Sequence, residues 1–260
     1  MRAPVLQDRL PHVPWLDPAT ARLPGMRPCG AEDWLRMDEA YAGQMAERDW
    51  LIATRQPLVH ALLPEGRAAA AELLDAALEL LARRAGFAVG AASVTRPDGV
   101  VVPVDRAFPL ITLGRLVQQD LCLMQKQGEE SVLTGAILCF PASWTLAQKI
   151  GKPMTGIHAP VAHYDEALAR RVQRLFDMVR VGQPMERFNA LVYDDPTLHQ
   201  PRLENARRPR PVARTYLRSE RQVVLRLPVT QAVVFSIHTI IVPMTALDPE
   251  ALSAMDAAGI

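Results

Sequence analysis

The stretch Tyr216–Met244, YLRSERQVVLRLPVTQAVVFSIHTIIVPM, constrains this chain more than any other. It opens on a crowded polar cluster of Arg218, Glu220, Arg221 and Gln222. A short β-rich run, Val223 to Leu225, follows, then a turn at Leu227-Pro228, then the long apolar run Ala232–Val242. Val233, Val234, Ile237, Thr239, Ile240 and Ile241 are β-branched and favour strand. Proline cannot donate to a ladder, so Pro228 stops the first strand. The spacing predicts a strand pair with charges at its entrance and His238 inside an apolar strand. Charges taken out of water must be paired or bound. The cluster is therefore either a structural ion-pair network or part of a site.

The 260 residues suffice for one large domain with a real core. A formal net charge of +1 gives no field that favours nucleic acid or an acidic membrane surface. The cysteines, Cys29, Cys122 and Cys139, are far apart, with no CxxC, no zinc spacing and no CxxCH for covalent haem. Reduced thiols fit a cytoplasmic protein. The opening MRAPVLQDRLPHVPW is broken by prolines and does not read as a signal peptide. No apolar run reaches the roughly 20 residues needed to span a bilayer.

Residues 1–30 read as an extended arm. Ala31 to about Arg55 reads as a helix with Trp34, Met37, Tyr41, Met45 and Leu51 on one face, and Arg67–Arg84 as the clearest helix, with Gly86 as its stop. Ala91–Val104 reads as strand, turn and strand around Pro97-Asp98-Gly99. Leu113–Lys126 fits a further helix, and Val132–Phe140 a buried strand. Thr145-x-x-Gln148 has the pattern of a capping box. Asp165 is placed to cap a helix carrying Leu168, Val172, Leu175, Phe176 and Val179. Arg187–Tyr193 reads as a strand, His199–Pro211 as a loop, and Pro249–Ile260 as a modest helix. The short connection at Pro228 makes the C-terminal strands antiparallel, and the order of elements is α+β. The division expected is one domain over 1–260, with a mostly helical part over 1–85 and a core over 86–245.

Familiar catalytic fingerprints are missing: no GxGxxG, Walker A, HExxH or GxSxG. Among the histidines, His158 stands in a Gly/Pro-fixed loop, Gly156-Ile157-His158-Ala159-Pro160, with apolar neighbours. A neutral imidazole in an apolar wall suits a haem iron, but a loop histidine can equally bond to backbone. His163 reads as a surface residue. His238 shares a strand face with Ser236 and Ile240, and either lines a pocket or is a satisfied core histidine. Arg218 and Glu220, two apart, point to one face. In a pocket the arginine can hold a carboxylate, and the glutamate can bind an ammonium or pass a proton.

Several runs together resemble one family. They are Leu217-Arg218-Ser219-Glu220-Arg221-Gln222, Arg226-Leu227-Pro228 and Ala232–Thr239. Phe140-Pro141-x-x-Trp144, Ile157-His158-x-Pro160-Val161 and Asp194-Asp195-Pro196 belong with them. With Gly25-Met26-Arg27, Trp34, Asp38, Tyr41 and Arg48, they resemble the haem-dependent oxidative N-demethylase α-subunit family over roughly Pro14 to Met244. The resemblance implies a PAS-like antiparallel sheet with surrounding helices and an N-terminal helical extension. It implies non-covalent haem b, and oxidative removal of a methyl group from a small secondary amine such as dimethylamine. Oxygen and electrons are consumed and formaldehyde is released. Electrons come from NADPH through a separate reductase carrying flavin and an iron–sulfur cluster. Carried over by motif, the resemblance implies His158 as the axial ligand and Arg218 and Glu220 in the distal pocket; His238, on its strand, is counted with the cofactor-binding residues. Ile240 departs from the aromatic residue that the resemblance leads one to expect there. The rival reading is a haem or small-molecule sensor on the same scaffold; a third is a binding protein without activity.

Overall fold

The computed structural model describes residues 3–17, 25–159, 166–207 and 209–257. In chain order its strands are β1 (Arg27–Pro28), β2 (His60–Leu62), β3 (Ala88–Val89), β4 (Ser93–Thr95), β5 (Val101–Pro103), β6 (Asp120–Gln127), β7 (Glu130–Ile137), β8 (Met185–Tyr193), β9 (Tyr216–Arg226) and β10 (Val233–Pro243). The helices are α1 (Tyr41–Val59), α2 (Arg67–Leu81), α3 (Pro109–Gly114), α4 (Met154–His158), α5 (Glu166–Met178) and α6 (Pro249–Ala257). The architecture is mixed, with a large antiparallel sheet and helices packed on it. The seven-stranded sheet has the order β1-β8-β9-β10-β6-β7-β2, and β3-β4-β5 form a small second sheet. Residues 1–85 are not purely helical, because β1 and β2 join the main sheet.

The strand pair expected from the β-branched run is longer than its sequence signal. β9 and β10 pair without a bulge from Tyr216 opposite Pro243 to Arg226 opposite Val233. The polar cluster thus lies inside β9 rather than at its entrance. The turn between them is tied to α2: the Glu72 carboxylate accepts from Val229 N (2.6 Å) and Thr230 N (2.8 Å).

Side chains alternate across a strand, so the sheet has two separate faces. On one, Leu121, Leu123, Ile137, Val223 and Val234 pack against Leu51, Leu73, Leu74, Leu110 and Leu113 of α1, α2 and α3. On the other, Cys122, Met124, Ala136, Val224 and Val233 pack against Met154 of α4 and Phe176 of α5. Each core leucine or phenylalanine so buried contributes roughly 1.5–3 kcal/mol.

Two helical expectations are corrected. The stretch 113–126 is not a helix: α3 ends at Gly114 and β6 begins at Asp120. Leu116, Val117, Leu121 and Met124 do have helical spacing, but Leu121 to Met124 are all buried, as in a central strand covered on both faces. Gly114 permits the close packing here, since a Cβ would come within 2.6 Å of Ile137 Cγ1. Likewise the helix expected from Ala31 starts at Tyr41. Trp34 and Leu35 are buried, but in turns laid against the sheet, where Ser236 Oγ donates to Trp34 O (2.8 Å). The helix then runs past Pro57 by breaking regular geometry at Arg55 (φ −136°, ψ 27°). The Thr145–Gln148 pattern makes only a 3-10 turn, with the threonine hydroxyl donating to Gln148 Oε1 (2.8 Å) and not to backbone. Asp165 lies outside the described residues.

Candidate functional site

Register decides which polar residues meet. Glu220 stands opposite Asn189 of β8 and Thr239 of β10, and Gln222 stands opposite Arg187. Arg187, Asn189, Arg218, Glu220, Gln222 and Thr239 therefore share the face covered by α4 and α5. Glu220 is 7% exposed. Its Oε2 accepts from Asn189 Nδ2 (3.0 Å) and Gln222 Nε2 (2.9 Å), and its backbone N–H donates to Asn189 Oδ1 (2.9 Å). Among the described residues its Oε1 has only a long contact, 3.9 Å, to Arg218 Nη2. Beside it the Thr239 hydroxyl, on a residue 1% exposed, is buried with no hydrogen-bond partner among the described residues. An unpaired buried hydroxyl is costly in a stable fold.

Arg218 is differently employed. Its Nη1 donates to Leu198 O (2.9 Å) and its Nη2 to Phe140 O (2.6 Å). It clamps two loops against the sheet, and its long contact to Glu220 is secondary.

His158 closes α4 instead of standing in a loop. Its Nδ1–H donates to Met154 O (2.9 Å), which leaves Nε2 as the nitrogen with a lone pair. Burial pushes its pKa below the ordinary 6.5, and the nearby Lys149 and Arg187 charges add to this. A neutral imidazole oriented by a carbonyl is the form a metal requires. Lys149, itself buried, holds the helix in place by donating to Ile157 O (2.5 Å) and pairing with Glu204 (2.7 Å). Trp144, Ile157, Met185 and Phe235 form a half-buried apolar margin on this side. His158, Arg218 and Glu220 are thus on one side of the sheet.

His238 is not with them. It pairs with Arg221, on the α1–α3 face. Gln119 Nε2 donates to its Nδ1 (2.7 Å) and its Nε2 donates to Asp38 Oδ2 (2.8 Å), so both ring nitrogens are used. Its place in one pocket with His158 and Glu220 is withdrawn on this geometry: it is a satisfied histidine at the border of a separate pocket. Ile240 lies on this face too, so its departure from an aromatic does not touch the Glu220 group. A pocket of about 250 Å³ opens here, bordered by Arg9, Arg36, Asp38, Arg221 and His238. Arg221 pairs with Glu186 (2.6 Å), the structural ion pair of the two readings left open for the cluster.

Burial alone would raise the Asp38 pKa, but His238, Gln118 and Gln7 hydrogen-bond it and hold it down to about 2. A depressed carboxylate stabilises the fold above its unfolded pKa, and that contribution is lost as pH falls. The Asp38 contribution, about 2 kcal/mol, should be complete above the ordinary 3.8 and drain away towards about 2. Asp38→Asn should flatten that part of an acid-denaturation curve. An unchanged slope between pH 4 and pH 2 would refute the assignment.

Three residues escaped the sequence reading. Arg187 carried no motif, and Thr239 was read only as part of the Ala232–Thr239 run; the register against Glu220 reveals both. His199, read as a loop residue, donates Nδ1–H to Cys139 O (2.8 Å), and its Nε2 is buried without a partner among the described residues. His163, Pro160 and Val161 lie outside the described residues.

Fold and site together define an α+β protein whose antiparallel sheet presents a partly unsatisfied polar group beside an apolar, helix-covered margin. A family model described as haem-dependent oxidative N-demethylase, alpha subunit-like, matches residues 25–259, and the chain belongs to that family. The description ties the chain to haem-dependent oxidative demethylation and, in the word subunit, to a partner. Among the described residues no helix is long and apolar enough to cross a membrane.

Proposed function

We propose that the α4–α5 side of the sheet, a PAS-like scaffold, holds haem b and a small secondary amine such as dimethylamine. The chain then removes the N-methyl group oxidatively and releases formaldehyde. The observation that carries this reading is Glu220, a carboxylate with one oxygen locked by two amides and the other without a hydrogen bond among the described residues. Such a group is pre-set for an ammonium, because Oε2 cannot swing and Oε1 needs a donor.

The residues present fit haem. His158 offers a neutral nitrogen, and Trp144, Ile157, Met185 and Phe235 an apolar wall. When bound, haem supplies the oxidising chemistry at the N-methyl group, drawing on oxygen and on electrons from a separate NADPH reductase with flavin and an iron–sulfur cluster. The protein's own work is orientation. Glu220 Oε1 pairs with the amine N–H, or takes its proton, and so fixes the methyl group relative to the wall. Asn189 and Gln222 keep the carboxylate on that heading. Thr239 Oγ1 adds a second polar atom beside it.

Glu220→Gln keeps the shape and removes the charge. Haemin uptake should be unchanged, while reductase- and NADPH-dependent formaldehyde release should fall by at least about 100-fold, as for loss of a positioned acid–base group. Normal release in that variant would remove Glu220 from the reaction.

A further inference from the structure

Three cations on the covered face of the sheet and the elements against it are engaged by the described residues. Arg218 donates to the Leu198 and Phe140 carbonyls. Arg226 donates to Val179 O, Gln231 O and Phe176 O. Lys149 pairs with Glu204. Arg187 differs from these three: among the described residues nothing accepts a hydrogen bond from it, and it forms no ion pair. Yet it is half-buried, on the central part of β8, directly across from Gln222 and two residues from Asn189. It shares that face with Glu220, which stands two residues along β9 from Gln222.

A guanidinium has five donors in a rigid fork and no way to shed its proton at neutral pH. Drawn partly out of water with none of those donors used by the described residues, it favours an acceptor from outside the chain. The fork matches a carboxylate, which takes two parallel hydrogen bonds.

We infer that Arg187 is the carboxylate-binding residue of this site, and that it receives the acid group of a ligand whose amine or ring is held by Glu220 and the apolar margin. The inference rests on the proposed function above and moves to Arg187 the carboxylate role first expected of Arg218. Two ligands carry the required chemistry. One is haem, through a propionate. The other is the substrate itself, in which case the preferred amine is an N-methyl amino acid, with Glu220 on the ammonium and Arg187 on the carboxylate.

The test compares the full chain with Arg187→Gln, following the Soret band during titration with haemin and with haemin dimethyl ester, whose propionates are masked. If the partner is a propionate, the variant should bind haemin at least about tenfold more weakly, and the ester should bind both proteins alike. If the partner is a substrate carboxylate, haemin should bind both proteins alike. N-methylglycine should then perturb the spectrum of the wild-type holoprotein but not the variant's, while dimethylamine perturbs both. Equal haemin affinity with an equal response to N-methylglycine overturns the inference and leaves the proposed function standing. No haemin uptake by the wild type overturns the proposed function; the inference then survives only if N-methylglycine raises the melting temperature of the wild type and not of the variant. Should Arg187→Gln fail to fold, Arg187→Lys keeps the charge, loses the fork and carries the same comparison.

Discussion

Asp120→Ala should cost the protein roughly 3–5 kcal/mol of stability, the loss expected when one member of a buried ion pair is removed. Asp120 opens β6, and its Oδ1 accepts from Arg48 Nη1 (2.7 Å) and Cys139 N (2.7 Å). Its Oδ2 accepts from Phe140 N (2.8 Å). Both side chains are shut away, at 0% exposure for Arg48 and 1% for Asp120. Arg48 also donates to Gly114 O and Gln118 O and sits under the Phe140 ring. One carboxylate thus joins α1, the end of α3, β6 and the exit of β7. Without it, the guanidinium stays in the core with no counter-charge. Replacing both members, Arg48→Met with Asp120→Leu, should recover much of the loss, because the desolvation cost disappears along with the attraction. Urea unfolding checks it. A single-variant loss below about 1 kcal/mol, the range of exposed pairs, would show that water reaches the pair.

His158→Ala should abolish the Soret band of haemin-loaded protein or weaken haemin binding at least a hundredfold, beyond the roughly 10–100-fold seen when only an outer partner of a ligand is lost. Nothing else in α4 replaces an imidazole, and the five-residue helix itself stays anchored by Lys149 and by the Met154 side chain in the core. A pH titration adds a second arm. A proton competes with iron for Nε2, and burial together with Lys149 and Arg187 lowers the pKa from 6.5. Haemin affinity should therefore hold as pH falls through 6.5 and decline only below it. A decline centred at or above 6.5 would contradict the packed environment of this imidazole. His199→Ala is the necessary companion, because His199 carries the same Nδ1-to-carbonyl bond. Loss of the band in that variant, with His158→Ala unaffected, would move the ligand to His199.

What could be read from the sequence follows from which forces are local. β9 and β10 were legible because β-branching, a proline stop and alternation all act within a few residues. α2 was legible because Leu73, Leu74, Ala77 and Leu81 repeat at helical spacing and are indeed its buried stripe. β6 was not, because a strand covered on both faces loses its alternation, and leucine and methionine suit either state. The start of α1 was misplaced because Trp34 is buried by the sheet, a partner remote in sequence. At the site, Arg218 and Glu220 were identifiable as neighbours on one face because they lie two apart on one strand. Their separation from His238 required knowing the parity of β10 against β9. Arg187 required the register of β8, which no local signal encodes.

The connection between β8 and β9 is pinned at its roots. The Asp194 carboxylate gathers the backbone N–H groups of Val212, Ala213 and Arg214 at 2.5–3.0 Å. Arg218 holds Leu198, and Lys149 with Lys152 holds Glu204. Extra residues between Glu204 and Val212 would therefore tax only loop closure, about 0.6 kcal/mol for each doubling in length. The alignment of Arg187 with Glu220 is insulated from such changes. Evolution has latitude in that stretch to lengthen, shorten or restyle an outer surface for a new protein neighbour while the chemistry behind it keeps its dimensions.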